Sequence, residues 1–502
     1  MKRFLSLFIG LLIICLMIAG CSNSSSSTAS YAGTYAGSAQ AYHGNLSVNV
    51  KLDNVGKILS IDVGSHDETK DVGTVAIEKI PKKIVSTQSL NVDAVSGATV
   101  TGNAIQDAVA DALKKAGLQP KDYGYIIPSD VQPHVAAAPD LSKLPKKDPV
   151  SGSLTVTDAK GRKVTLNMPI STYAISTMDV IDYVIPLLGK DAFNKLVGAG
   201  QDGSGGFQTY AKLYTPVVGD YIQHVGQISD HNAPFDLEMI LSINPDVLIV
   251  NSAMGAHNYA LEVEPQLTAA GIPIVLINVP GKDITTSAQN TIKLLGQIFQ
   301  TQERASEVAG FIDEQFALIA SKNLAQRTDK PTVYYEKSGY AEIFGNTNAS
   351  NTGWGLVIAA AGGDNIADPI LLKSAAKKGG NSTLDSEYIL KSDPDYIILS
   401  SSGAGWMDNI PGSTPKIPKF DIRNRTGWNS LKAVKKGHVY ELAHATSRTI
   451  YGFYACLKLA CIFYPDDFKD VDPDVVMDNF FKKYMLVNSN VTGWFHTAKP
   501  LD

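Results

Sequence analysis

Cysteine is scarce: four in 502 residues. Cys456 and Cys461 stand five apart in a stretch of helical pattern, a spacing that points them away from each other and disfavours a disulfide. They read as core residues. No Cys/His group has the spacing of a zinc or haem site, so no metal ligands are assigned. An excess of one charge is missing too. A formal net charge of −5, spread along the chain, gives no reason to expect a nucleic-acid partner. Past the N-terminus no apolar run is long enough to cross a bilayer. No Gly-x-Gly-x-x-Gly stands out as a nicotinamide dinucleotide site. What remains, at 44% hydrophobic and 19% charged, can bury more than one core.

The N-terminus sets the compartment. Lys2 and Arg3 precede an apolar stretch, Phe4 to Met17, and then Ile18-Ala19-Gly20-Cys21. That ending resembles the lipobox of bacterial lipoproteins, which implies cleavage before Cys21 and a lipid anchor on its sulfur. The alternative, a short membrane anchor, sits poorly with the Ser-rich tether over 22–30, a composition that spaces a domain from a membrane.

Asp93-Ala94-Val95-Ser96-Gly97-Ala98-Thr99 precedes Thr101-Gly102-Asn103 and an amphipathic run, 104–116, that closes at Gly117. Thr101 can cap that helix, and Gly97 lets a backbone approach a ligand. A helix start favours a phosphate, which the Thr99 hydroxyl could carry as an ester. By chemistry alone an ordinary capped turn accounts for the same residues. The stretch 31–119, however, resembles the extracytoplasmic FMN-binding domain of flavinylated subunits in sodium-pumping quinone oxidoreductases and some fumarate reductases. Its Asp…Ser/Thr-Gly-Ala-Thr motif matches Asp93, Ser96, Gly97, Ala98 and Thr99, with Thr101 beside it. His66-Asp67-Glu68-Thr69 matches an upstream His-x-Glu-Thr, though Lys70-Asp71 replaces the usual Pro-Gly. The resemblance implies FMN joined to Thr99 through a phosphoester by a flavin transferase, with His66 and Glu68 near the cofactor.

Proline at 128, 133, 139, 145 and 149 marks a linker over 120–150, in part extended and compatible with many poses of what it joins. Thr157-Asp158 to Gly161-Arg162 sits between alternating Thr/Val runs and predicts a β-hairpin. An internal repeat follows. Phe235-Asp236-Leu237-Glu238 leads to Asn244-Pro245-Asp246 and an apolar strand; Leu384-Asp385-Ser386-Glu387 leads to Asp393-Pro394-Asp395 and another. Apolar strands after short helices predict parallel sheets, hence two α/β lobes over 151–280 and 330–502. Helical spacing over 282–328 predicts a connector between them.

The half 151–502 resembles the periplasmic binding proteins of iron-chelate, haem and cobalamin ABC importers. The hairpin motif, both Pro-Asp strands, the run 360–367 and the late Trp428-to-Tyr440 segment carry that likeness. The first strand, Tyr173-Ala174-Ile175, lacks the Arg-Ile-Val usual there. Position alone nominates ligand contacts in the groove at the carboxyl ends of strands. From the first lobe these are Met178, Asp179, Tyr183, Asn251, Met254 and His257. From the second they are Tyr340, Trp354, Trp406, Arg448 and Tyr451. Arg448 could pair with an anionic chelate and the aromatics could pack on a macrocycle. For each residue, packing, surface pairing or capping is the alternative.

The expected architecture is thus α/β: a small α+β FMN-binding domain, then a two-lobed binding protein with a helical connector. The expected function is a lipid-anchored flavoprotein that takes electrons from a membrane donor, reduces a captured metal chelate and serves an ABC permease. Two alternatives stay open: a receptor that delivers its chelate intact, and a flavin electron carrier whose binding lobes are a scaffold.

Overall fold

The computed structural model describes residues 30–41, 44–68, 70, 73–92, 98–125, 139–200, 206–229, 234–253, 255–338, 346–373, 383–401 and 425–497, leaving aside the side chains at 99, 100, 208, 222, 255–258 and 401. Cys21, Asp93, Ser96, Gly97, Met254, Tyr340 and Trp406 lie outside the described residues, as do the side chains of Thr99 and His257.

The N-terminal unit is an antiparallel meander, β1 (Gly33–Ala41), β2 (Gly44–Leu52) and β3 (Ile58–Val63), backed by α1 (Gly73–Thr87) and α2 (Thr99–Lys115). Alternation along β2 turns Leu46, Val48, Val50 and Leu52 inward. The buried face of α2 carries Ala104, Ile105, Ala108, Val109, Ala112 and Leu113. Small residues let this helix lie close on β1. A Cβ at Gly37 would stand 1.9 Å from the Ala108 carbonyl oxygen, so only glycine fits there. The helix starts earlier than the expected cap at Thr101. Ala98 holds the N-cap position, and Thr101 is inside the first turn and fully buried.

Residues 139–150 of the linker are bound rather than free to swing. The Asp140 amide donates to the Gln223 carbonyl (2.8 Å) and the Asp148 amide to Ser171 Oγ (2.8 Å), while Lys147 pairs with Asp246 (2.9 Å). Next comes the hairpin of β4 (Gly152–Thr157) and β5 (Lys163–Met168). In its turn Asp158 accepts from the amides of Lys160 and Arg162. The Arg162 guanidinium donates to Asp158 (2.7 Å), Glu264 (2.7 Å) and the Ile274 carbonyl (2.8 Å). The Asp/Arg motif is therefore a clip that fastens the hairpin to the adjoining lobe.

The first lobe holds a parallel sheet ordered β10-β9-β6-β7-β8, from β6 (Tyr173–Ile175), β7 (Leu196–Gly200), β8 (Gly226–Ser229), β9 (Leu248–Asn251) and β10 (Ile274–Ile277). The second is ordered β12-β11-β13-β14-β15, from β11 (Thr332–Ser338), β12 (Asp364–Asn365), β13 (Tyr396–Ser401), β14 (Val439–Ala443) and β15 (Phe495–Thr497). It is parallel except for β15.

The repeat recurs in three dimensions. Helices Leu237–Ile243 and Ser386–Ser392 are capped by Asp236 and Asp385, and end on left-handed Asn244 (φ 42°) and Asp393 (φ 41°). The aspartate of each Pro-Asp pair then clamps a neighbouring strand start. Asp246 accepts from the amides of Ser171 (2.8 Å) and Thr172 (2.9 Å), and Asp395 accepts from the amide of Thr332 (2.9 Å). The connector is two packed helices, Ile284–Ile298 and Gln302–Ser321, with the chain turning at Gln300 (φ 57°). One apolar cluster runs from Ile175 through Ile292 and Ile312 to Tyr335, Ile398 and Phe480, joining both lobes and the connector.

Candidate functional site

Parallel strands end at a common edge, and the two lobes turn these edges toward each other. Asp179, just after β6, accepts from Arg448 Nε of the second lobe at 2.9 Å. Behind Asp179, Asp182 is fully buried; Tyr210 donates to it at 2.7 Å, and burial pushes its carboxyl well above the usual range. Across the groove, His444 Nδ1 is 2.7 Å from Ser400 Oγ, which is 2.7 Å from the Tyr335 hydroxyl. Burial, with Arg448 and Lys337 nearby, holds the His444 imidazole well below its usual value, so it is neutral. Thr177 Oγ1 and the Tyr183 hydroxyl on one side, with Asn346 Oδ1 and Thr347 Oγ1 on the other, are buried without a hydrogen-bond partner among the described residues. Buried polar atoms of this kind normally find a partner.

Not every nominated contact serves the groove. The Asn251 side chain accepts from the amides of Ala253 and Val279 and donates to the Val279 carbonyl, so it fixes backbone. Trp354 stacks on Tyr335 (centroids 5.7 Å apart) and donates to the His444 carbonyl; Tyr451 packs on Phe481 and Trp494. Met178 is buried in the shared apolar cluster. Trp354 and Tyr451 therefore pack in the core rather than facing a macrocycle. Ser400, near the end of β13, and Thr177 and His444, close after β6 and β14, were missed although they follow the rule that nominated Asn251; Asn346 and Thr347, eight and nine residues beyond β11, do not. Gly198-x-Gly200-x-x-Gly203 also has dinucleotide spacing. Its first two glycines lie inside β7, where a Cβ would meet Ile243 (2.5 Å) and the Ser176 carbonyl (2.0 Å). They serve sheet packing.

The N-terminal unit meets the first lobe at a second site. Thr101 Oγ1 lies 2.5 Å from Glu68 Oε2 and 3.0 Å from Glu238 Oε2, its proton shared between them. Glu68 and Glu238 are both buried, whereas His66 is exposed. An apolar cluster crosses the junction, taking in Ala98, Ile105 and Leu113 of one unit and Phe235, Leu237 and Ile240 of the other. Ala98 offers no side-chain cap at the start of α2, a helix end of the kind that favours an anion.

A two-lobed α/β body with a helical connector and facing strand ends defines a substrate-binding protein, here with a small α+β domain ahead of it. Residues 207–446 match the periplasmic binding protein family, and residues 41–114 match the FMN-binding domain. The chain is a fusion of these two. The N-terminal part is 38% identical over 86 residues to NADH:acrylate oxidoreductase of Vibrio harveyi, covering 17% of this chain but only 8% of that protein. The molybdate-binding protein MolA of Haemophilus influenzae is 22% identical over 352 residues, 66% of this chain and 90% of its own. The crystal structure of the TroA-like periplasmic binding protein FepB from Veillonella parvula superposes with a TM-score of 0.57 at 24% identity, covering 70% of this chain and all of that one. The binding-protein relatives place the chain outside the cytoplasm and imply a ligand and a permease partner.

Proposed function

We propose that this is a lipoprotein, processed after residue 20 and anchored through Cys21, with FMN esterified to Thr99 by a flavin transferase. It takes electrons from a membrane donor, passes them to a metal chelate held between its lobes, and serves an ABC permease. The observation that carries this reading is the contact of Thr101 with Glu238. Glu238 belongs to the helix that starts where β8 ends, the backbone amide of its cap Asp236 donating to the Ile228 carbonyl (2.7 Å). The start of α2 is therefore held at the strand-end edge of the first lobe, the edge that forms the groove. From β8 to β6, the strand before Asp179, is two strand spacings, about 10 Å.

FMN, when bound, supplies one- and two-electron transfer. The chain's own residues position it and hold the acceptor. The facing strand ends are polar, with Arg448 paired to Asp179, a neutral His444 and four buried side-chain oxygens that lack a partner among the described residues, which favours an oxygen-rich anionic complex over a bare macrocycle. Reducing Fe(III) to Fe(II) in such a complex weakens its hold by hard oxygen donors and favours release.

Intact-mass spectrometry after coexpression with a flavin transferase tests the first step. An FMN-sized adduct is expected in the wild type and not in Thr99→Ala. Reduced wild-type protein is then expected to be reoxidised by a ferric chelate under anaerobic stopped flow. A wild type with no adduct removes the redox role and leaves a delivery receptor.

A further inference from the structure

We infer that Glu238, contributed by the binding lobe, is a positioning residue for the flavin: it locks the first turn of α2, the helix that begins at Thr99. This rests on the flavin reading above and adds to it a dependence of the flavin's setting on the neighbouring domain.

Three observations converge. Thr101 is two residues from Thr99 on the same helical turn, and its hydroxyl is the group that Glu238 holds at 3.0 Å. Glu238 is 1% exposed although it sits in the first turn of a seven-residue helix, a place where glutamate usually faces water. The receiving surface is shaped for it. A Cβ at Gly73, the first residue of α1, would stand 2.6 Å from Glu238 Oε1, 3.0 Å from Glu68 Cβ and 3.1 Å from Thr101 Oγ1. The bare glycine therefore leaves the space that the carboxylate fills. Apolar packing from Ala98 to Leu237 surrounds the contact, which strengthens a polar interaction by excluding water.

Two consequences follow. Without Glu238, the first turn of α2 loses its anchor on the second domain and frays. A carboxylate fixed near the attachment residue also disfavours the added negative charge of a reduced flavin, so removing it raises the midpoint potential.

The test uses the full-length flavinylated protein and three variants: Glu238→Ala, Glu238→Gln and Gly73→Ala. Hydrogen exchange of amides 99–104 reads the lock, and spectroelectrochemistry reads the potential. Glu238→Ala and Gly73→Ala are expected to exchange at least about tenfold faster in this segment. Glu238→Gln, whose amide oxygen still accepts from Thr101, is expected to keep most of the protection. It is also expected to shift the oxidised-to-reduced balance about tenfold toward the reduced form at fixed potential, about 30 mV for two electrons. Unchanged exchange in Glu238→Ala, with unfolding showing the protein intact, overturns the lock. Unchanged potential in Glu238→Gln overturns the electrostatic role. If the wild type carries no FMN, the flavin reading fails by itself while the exchange experiment still decides whether Glu238 anchors α2.

Discussion

The two copies of the repeat begin alike and end up in different surroundings. Asp236 and Asp385 cap corresponding helices, and Glu238 and Glu387 follow each cap by two residues. Glu387 is exposed; Glu238 is buried against Thr101 of the N-terminal unit. Local sequence built the same helix twice. What differs is the neighbour, so the special status of Glu238 comes from the added domain and not from the binding fold.

The largest effects are expected where the copies agree. Asp246→Ala and Asp395→Ala each remove at least two charge-assisted acceptor contacts, at about 1.5–3 kcal/mol apiece, for a loss of about 3–6 kcal/mol. Urea unfolding checks this. A loss confined to one lobe breaks the equivalence of the two clamps.

A second test compares the lobes by pH. Burial pushes the Asp236 carboxyl up to about 6. Folded protein therefore holds this proton more tightly than the unfolded chain does. That contribution is full below about pH 4 and is lost as pH climbs through 6, an effect of about 2–3 kcal/mol. His444, held neutral, works in the opposite direction: its contribution is present above the ordinary histidine range and fades on acidification. Asp236→Asn keeps a capping oxygen and is expected to flatten the decline between pH 4 and 6 in thermal melts. The same change at exposed Asp385 serves as control, and an equal response at both positions would dissolve the contrast.

The smallest difference concerns the glutamates themselves. Glu238→Ala is expected to cost about 1–2 kcal/mol, and Glu387→Ala less than about 0.5 kcal/mol, read as melting-temperature shifts. Equal shifts would mean that the domain contact contributes nothing to stability.

Much of the fold was legible because it is written locally. The Asp158–Arg162 turn, the two aspartate caps and the Pro-Asp clamps each lie within a few residues or at a strand start, and they carry recognisable chemistry. The site was less legible. Thr101 was expected as a cap, but Ala98 takes that place and Thr101 bonds to a residue 137 positions away, which no local pattern announces. Trp354 and Tyr451 were nominated because they lie near strand ends. The backbone there turns them into the core, and turning direction depends on packing rather than on sequence position. Nothing in the repeat distinguishes Glu238, because its counterpart Glu387 is an ordinary surface residue.

The paired connector helices have a mechanical consequence. Two rods lying side by side, with apolar faces buried in one cluster that both lobes share, resist bending far better than a single crossing strand or helix would. Empty and loaded forms should then differ little in outline. A permease that must tell them apart would have to sense a few surface groups, because the silhouette of the receptor stays nearly constant.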